Sequence, residues 1–164
     1  MDEMEYTIIN FIRSIGIEVI VAPIDTACVL PGIQISKGRL VVDPERLLYP
    51  GDLLHEAGHL AVAPSEIRKQ MNGVLDPKQD FELAGELMAI PWSYAAALHI
   101  GIDPAVVFHP DGYKGGAASI LENFVQSRFI GLPALQWIGL TYDGKRAKEL
   151  GTAPFPKMIK WLRD

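Results

Sequence analysis

Residues 53–62 have the sequence LLHEAGHLAV, and the expected fold is built around this stretch. Its apolar positions recur at helical spacing, Asp52 precedes it as an N-cap candidate, and Pro64 cannot continue a helix. Four residues of α-helix rotate by about 400° and rise by about 6 Å, so His55 and His59 share one face, one turn apart. The stretch therefore predicts an amphipathic helix that presents two imidazoles on one face.

This helix carries the HExxH pattern, whose residue types match the needs of metal-assisted hydrolysis. Two imidazoles separated by one helical turn can bind the same Zn²⁺ at about 2.0–2.1 Å each. Zinc lowers the pKa of its water towards about 7, and Glu56 is placed to take a proton from that water and pass it to a leaving amine. We therefore predict Zn²⁺ as the cofactor, His55 and His59 as metal ligands, and Glu56 as the catalytic general base.

A third protein ligand is expected, because catalytic zinc sites normally combine three protein ligands with one open position. Glu82 and Glu86 lie one turn apart in an otherwise apolar part of a predicted long helix over 78–100. A carboxylate that faced the core there would be costly without a partner, and a metal ion would satisfy it. Glu86 lies deeper in the apolar run and follows Gly85, which makes it the favoured third ligand. Glu82 is the alternative, as a ligand or as a hydrogen-bond partner of a ligating histidine, whereas Cys28 fits better as a small buried residue.

The pattern around this helix predicts an α+β domain with a small three-stranded sheet. A helix over 2–14 comes first, and three short β-branched segments follow it. The part after residue 100 is mostly helical and shows no βαβ repeat, so all of 1–164 is assigned to one domain. The predicted strands are 17–22, 33–35 and 39–42. The predicted helices beyond residue 100 are 104–108, 117–130, 133–138, 143–150 and 156–162.

Composition excludes several classes of function. The chain has 164 residues, 49% of them hydrophobic, and a net charge of −5, which is typical of a globular domain and gives no basic footprint for nucleic acid. Cys28 is the single cysteine, so an internal disulfide framework is excluded. The acidic N-terminus lacks the pattern of a signal peptide, and the longest apolar run, 87–98, is too short to span a bilayer. We expect a cytoplasmic protein that binds neither nucleic acid nor membranes; its oligomeric state is not predicted.

The stretch His55-Glu56-Ala57-Gly58-His59, followed about 27 residues later by Glu86-Leu87-Met88-Ala89, resembles the small gluzincin metallopeptidases. Chain length and element order are similar to those of the ImmA/IrrE family of metallo-endopeptidases, and the specific resemblance covers about residues 30–100. It implies a zincin-like (minigluzincin) fold, in which the sheet packs against the HExxH helix and the Glu-bearing helix. It also implies a zinc-dependent endopeptidase that cleaves a peptide or protein, with regulatory proteins as candidate substrates, because known members cleave repressors. The chain departs from the family's usual Glu-Ala-Asn run, since Leu87 and Met88 follow Glu86.

Hydrolysis through a tetrahedral intermediate also needs a donor for the oxyanion. In gluzincins this donor is commonly a His or Tyr beyond the zinc ligands, which makes His109 and Tyr113 candidates in a Gly-rich loop that could line a cleft. Tyr94 and His99 are further candidates, although core or capping roles suit their positions better. The strand over 39–42 is a candidate sheet edge for an extended substrate, with simple hairpin packing as the equal alternative.

Two other functions stay open on the sequence alone. The chain could be a non-catalytic regulatory or binding module that retains a structural zinc. A fourth protein ligand from Glu82, Cys28 or His109 would favour that module, whereas an exchangeable water favours the enzyme. The remaining hypothesis is a metallohydrolase that acts on a non-peptide amide or ester. The zinc-dependent endopeptidase is the leading prediction.

Overall fold

A computed structural model of the chain describes residues 1–25, 28, 30–73 and 80–164, with the backbone alone described for 80–84. The α+β class predicted from the sequence is confirmed, because these residues form several helices and a small three-stranded mixed sheet. The strands are β1 (Val19–Val21), β2 (Ile33–Ser36) and β3 (Arg39–Val42). The helices are α1 (Glu3–Ser14), α2 (Asp52–Val62), α3 (Ser65–Arg68), α4 (Asp80–His99), α5 (Ala117–Val125), α6 (Leu132–Trp137) and α7 (Gly144–Leu150).

The sheet has the strand order β1-β3-β2. β1 runs parallel to β3, and β2 pairs with β3 in antiparallel register, so that Val19 and Ile35 both lie opposite Leu40. The β2–β3 hairpin turns through Lys37 and Gly38, whose φ angles of 51° and 73° are both positive, as tight hairpin turns prefer. The buried face of this sheet joins α1 and α2 in the main hydrophobic core.

Of the two alternatives for residues 39–42, the free sheet edge is wrong and the hairpin packing is found. β3 is paired on both sides, because the segment 19–21 returns to it as a parallel neighbour. The edge strands are β1 and β2. Of these, β2 contacts α2. On the outer side of β2, Ser36 forms an isolated bridge with Asn72, which covers this edge next to the hairpin.

Helices α2 and α4 share the most extensive contact between elements in the described chain. A Cβ atom at Gly58 would lie 3.2 Å from the Cα, Cβ and carbonyl oxygen of Ala89, so the two backbones approach closely at this point. Glycine costs about 1 kcal/mol of helix propensity relative to alanine, and this close approach explains its place in the middle of α2. The apolar side chains of α2 beside the contact are fully buried: Leu53, Leu54 and Leu60.

We expect Gly58→Val to lower the free energy of unfolding by about 1–3 kcal/mol, because a branched side chain overpacks a contact that is already tight. Urea denaturation followed by circular dichroism measures the loss. Gly144→Val is the matched control, since Gly144 opens α7 and has nothing within 4 Å of its Cβ position. The control should change stability by no more than about 0.5 kcal/mol. Equal losses at the two positions would contradict the packing described here.

Helix α4 continues through Pro91, which lacks an N–H and leaves the Leu87 carbonyl without its usual helical donor. Gly131, at a φ of 81°, comes so close that a Cβ there would lie 1.8 Å from the Leu87 carbonyl oxygen. Position 131 therefore requires glycine, and the close contact packs the start of α6 against α4. Among the residues that the structure describes, no helix combines the length and the apolar character needed to cross a membrane.

Two helices predicted near the C-terminus differ from the structure. The helix predicted over 117–130 is shorter, because the chain takes a positive φ of 59° at Ser127, soon after α5 ends. The helix predicted over 156–162 is wrong. The backbone there pairs with an earlier segment instead, as shown by the bond of 2.9 Å from Ile159 N–H to the Leu140 carbonyl.

The segment after α7 returns to the C-terminal end of α2. The Arg163 N–H donates to the Ala61 carbonyl at 2.9 Å. The Arg68 guanidinium donates to the Leu60 carbonyl at 2.7 Å and also to the carbonyl of Arg163. These bonds satisfy carbonyl groups that the last turn of a helix leaves unpaired, so the returning segment stabilises the end of the helix that carries the two histidines.

Candidate metal centre

Three donor atoms from α2 and α4 converge on one point. His55 Nε2 and His59 Nε2 lie 3.1 Å apart. Glu86 Oε2 lies 3.1 Å from His59 Nε2 and 3.5 Å from His55 Nε2. Ligand bonds of about 2.0–2.1 Å at tetrahedral angles would separate neighbouring donor atoms by about 3.3–3.4 Å. The three atoms therefore have the mutual spacing expected of ligands around one small cation.

Glu56 adds a second carboxylate beside this point. The ligand atoms offered by His55, Glu56 and His59 all lie within 4.8 Å of one another, so this group could hold a metal ion. Glu56 is half-buried and follows His55 directly in α2. Its side chain is therefore close enough to act on a molecule bound beside the histidines.

The helix contact sets this convergence. One turn of α2 separates His55 from His59, and α4 packs on α2 at the contact between Gly58 and Ala89. Glu86 lies about one helical turn before Ala89 on α4, which places it beside the histidine pair. Gly85 also lies against this pair, since a Cβ there would be 3.7 Å from His59 Nδ1, an ordinary van der Waals contact.

The electrostatics of the cluster favour a bound positive charge. Burial raises the pKa of Glu86, but hydrogen bonds and charges from His55 and His59 outweigh it, so the pKa of this carboxyl lies well below its usual range. Burial lowers the pKa of His55, but Glu86, Glu56 and Asp52 together hold it above the ordinary value of 6.5. An ionised carboxylate and an imidazole with raised affinity for a proton therefore share one small volume, in a field that favours positive charge.

The other ring nitrogen of His55, Nδ1, is hydrogen-bonded by a residue that lies outside α2 and α4. The Tyr113 hydroxyl lies 2.9 Å from His55 Nδ1, and the two rings meet edge to face with centroids 5.3 Å apart. Burial and then the charge of Glu86 raise the pKa of Tyr113 well above its ordinary value, so the hydroxyl keeps its proton at neutral pH. Tyr113 therefore contacts the Nδ1 edge of the His55 ring, away from Nε2, which faces His59 and Glu86.

The loop that carries Tyr113 is strained and tightly docked. Tyr113 and Lys114 have φ angles of 54° and 52°, in the left-handed region that side chains other than glycine rarely adopt. Such residues cost on the order of 1–3 kcal/mol each and persist only where the surrounding structure holds them. The docking contacts come from the first turn of α2 and the segment before it: His109 Nε2 lies 3.0 Å from Asp52 Oδ1, the His109 and Tyr49 rings stack at 3.8 Å, and the Tyr49 hydroxyl donates to Asp111.

These contacts place both oxyanion candidates in surroundings that the sequence did not predict. Tyr113 bonds the outer nitrogen of His55, so its hydroxyl lies behind the imidazole and not on the side of the donor cluster. His109 is buried, bonded to Asp52 and stacked on Tyr49. Asp52 is itself the first residue of α2 and not its N-cap, which is Gly51. Direct oxyanion stabilisation by His109 or Tyr113 stays an untested prediction.

The other candidates from the sequence lie elsewhere. Tyr94 is buried among phenylalanine rings, the nearest being Phe124 at a centroid distance of 4.8 Å. His99 is at the far end of α4 and packs on the ring of Trp161. Cys28 is half-buried and is not part of the group of described residues that could hold a metal ion. Glu82 is in α4, and its side chain lies outside the described residues.

Sequence reasoning missed the partnership between Tyr113 and His55 and that between His109 and Asp52. The available signal was weak: Asp52 lies three residues before His55 on the same helical face, and the loop over 109–116 contains both aromatic partners. Only the docking of that loop on α2 brings them together.

Comparison of the chain with protein-family models, with curated proteins and with solved structures finds no match in any of the three.

Proposed function

We propose that the protein is a zinc-dependent endopeptidase with a zincin-like fold. One observation carries the proposal: two histidines of an HExxH helix and a glutamate of a second helix bring their donor atoms to within 3.1–3.5 Å of one another, with Glu56 beside them. The resemblance to small gluzincins supports the same assignment. A cytoplasmic location and a regulatory protein as substrate are further parts of the proposal.

The donor set fits zinc in type and number. Two imidazole nitrogens and one carboxylate oxygen are ligands that zinc accepts, and three protein ligands leave one position open, as in catalytic sites. His55, His59 and Glu86 would hold the ion. When bound, zinc polarises a substrate carbonyl and makes hydroxide available near neutral pH.

Glu56 performs the proton transfers in this proposal. Its carboxylate accepts a proton from the attacking water and then delivers it to the leaving amine, as a general base and then a general acid. Glu86 remains ionised, because its pKa is held low by the two histidines, and so contributes negative charge and not a proton. The two carboxylates thus have separate roles within one site.

The substrate would lie along β2 and not along β3, because β3 is the central strand. An extended peptide can add to an exposed sheet edge through main-chain hydrogen bonds. β2 is an edge strand that contacts α2, the helix with both histidines. Ile35 and Ser36 already bond the segment 72–73, so a peptide would pair along the start of β2. A peptide or protein segment paired there would pass close to the proposed site.

The test is metal analysis together with a hydrolysis assay on the purified chain. We expect a single zinc ion per chain and cleavage of casein or a peptide library, which a chelator abolishes and added zinc restores. Bound zinc without hydrolysis of any substrate would favour a structural zinc in a binding module. Cleavage of small amides or esters only, and of no peptide, would favour the non-peptide hydrolase.

The binding module needs a fourth protein ligand, and the described residues lend it little support. His109, one candidate, bonds Asp52, and Cys28 is not part of the group that could hold a metal ion. The side chain of Glu82, the other candidate, lies outside the described residues. The enzyme is therefore the better supported of the two functions.

A further inference from the structure

The segment that carries Tyr113 is attached to the start of α2 by side-chain contacts. His109 Nε2 lies 3.0 Å from Asp52 Oδ1, and only 10% and 12% of the two side chains are exposed. The ring of Tyr49 stacks on that of His109, with centroids 3.8 Å apart and planes at 11° to each other. The Tyr49 hydroxyl also donates to Asp111. We call this cluster the loop anchor; it consists of Tyr49, Asp52, His109 and Asp111.

The backbone of the same segment is held just as closely. A Cβ atom at Gly51 would lie 2.1 Å from the Val106 carbonyl oxygen, so the chain before His109 lies directly on the chain that enters α2. After His109 the chain turns tightly, with a bond of 3.0 Å from the Gly112 N–H to the His109 carbonyl. Tyr113 follows this turn directly, so the loop anchor limits where its side chain can lie.

The loop anchor and Tyr113 contact the same face of α2. Asp52 precedes His55 by three residues, so the two side chains are neighbours on this face. Asp52 bonds His109, whereas His55 Nδ1 lies 2.9 Å from the Tyr113 hydroxyl. Tyr113 has a φ of 54°, and a tyrosine keeps such a conformation only where the surrounding structure holds it. The loop anchor supplies contacts that hold it.

We propose that the loop anchor positions Tyr113 against the ring of His55 and so fixes the orientation of that ring towards His59 and Glu86. Its members are positioning residues, which act on the metal centre through Tyr113. The bond at Nδ1 restrains the ring whichever of its two atoms donates, and Nε2 is the nitrogen that meets the other donor atoms. Partners that orient ligating histidines strengthen metal binding. The inference rests on the proposed metal site.

The polar character of the loop anchor suits this role. Burying an aspartate with a histidine carries a desolvation cost, and in some proteins such pairs are retained because they specify one arrangement. Hydrogen bonds and stacked rings both demand a defined geometry. The loop anchor therefore holds the loop in one place on α2, which is what the orientation of a single ring requires.

The first test asks whether the loop anchor holds the loop, and it needs no metal. Tyr49→Phe removes the hydroxyl that bonds Asp111 and keeps the stacked ring. Lys114 is exposed beside Tyr113, so trypsin can cleave after it when the loop opens. We expect cleavage at Lys114 in the metal-free variant to be about 3–10-fold faster than in wild type, because one lost hydrogen bond raises the open population. Tyr6→Phe, at an exposed tyrosine of α1, is the matched control and should cleave at the wild-type rate.

The second test is a double-mutant cycle on zinc affinity, measured by competition with a chromophoric chelator. We expect the dissociation constant for zinc to rise by about 10–100-fold in Tyr113→Phe and by about 3–10-fold in Tyr49→Phe. The double variant should bind zinc as weakly as Tyr113→Phe alone, because the loop anchor acts through a contact that Tyr113→Phe already lacks. A general loss of stability would instead add to the loss from Tyr113→Phe.

Additive losses in the double variant would overturn the positioning role. A zinc affinity of Tyr49→Phe equal to that of wild type would do the same, even with faster cleavage at Lys114, and so would equal cleavage rates in Tyr49→Phe and Tyr6→Phe. Each of these results leaves the metal site in place. A wild-type chain that binds no zinc would instead overturn the proposed function, and the positioning role with it, whatever the cleavage rates.

Discussion

Glu56→Gln is expected to slow peptide hydrolysis by about 10²–10⁴-fold while zinc remains bound. Glutamine keeps the size and the hydrogen-bonding capacity of the side chain, but it cannot accept a proton from the attacking water. The metal should be retained, because the close donor spacing of 3.1–3.5 Å belongs to His55, His59 and Glu86. Steady-state kinetics on a fluorogenic peptide, with zinc content measured on the same sample, give both quantities.

Glu66→Gln is the matched control for this change. Glu66 lies on α3 and is exposed, with Lys69 as an ion-pair partner at 3.2 Å. The same chemical substitution there should leave hydrolysis and zinc content at wild-type levels. Full activity in Glu56→Gln would show that another group moves the proton, and loss of zinc in that variant would show that Glu56 is a ligand.

Glu86→Ala is expected to weaken zinc binding by more than about 100-fold, because changes to groups that merely support a ligand already cost about 10–100-fold. The variant leaves two imidazoles and removes the negative charge at the centre of the cluster. In the metal-free protein it should also lower the pKa of His55, since Glu86 raises that pKa in the wild type. Chelator competition gives the affinity, and NMR titration of His55 gives the pKa.

Glu82→Ala separates the two candidate ligands. Both residues lie on α4, about one turn apart, so the substitutions are closely matched in local structure. We expect Glu82→Ala to retain zinc. Strong loss of zinc in Glu82→Ala with little loss in Glu86→Ala would reverse the assignment of the third ligand.

Local patterns predicted the elements that build the site. The helix predicted over 53–62 matches α2 to within one residue, because its apolar spacing and Pro64 mark its extent. The hairpin could be predicted as well, since Lys37 and Gly38 lie between two β-branched segments. The order of the strands could not be predicted from the sequence. β1 pairs with β3 through long-range contacts, and no local sequence pattern indicates that pairing.

In the candidate site, too, local sequence patterns predict some features and leave out those that depend on long-range contacts. Helix periodicity alone predicts that His55 and His59 share a face, and the structure places their Nε2 atoms 3.1 Å apart. Glu86 could be predicted as a ligand, because burying an unpaired carboxylate in an apolar segment costs free energy. The bond between Tyr113 and His55 joins residues far apart in the chain, and it depends on a loop conformation that Tyr113 does not favour intrinsically. Sequence patterns carry only a weak signal for such a placement.

The close approach of Gly58 and Ala89 has a consequence for which ion the centre would prefer. Metal ions of similar charge differ in bond length and in the number of ligands they accept, so the separation of the donors is one basis of discrimination among them. Here the distance of Glu86 from the two histidines depends on how near the backbones of α2 and α4 can come, at a point where a Cβ on Gly58 would lie 3.2 Å from Ala89 and no donor group is involved. Metal preference could therefore be altered by repacking the helix pair while every ligand is kept.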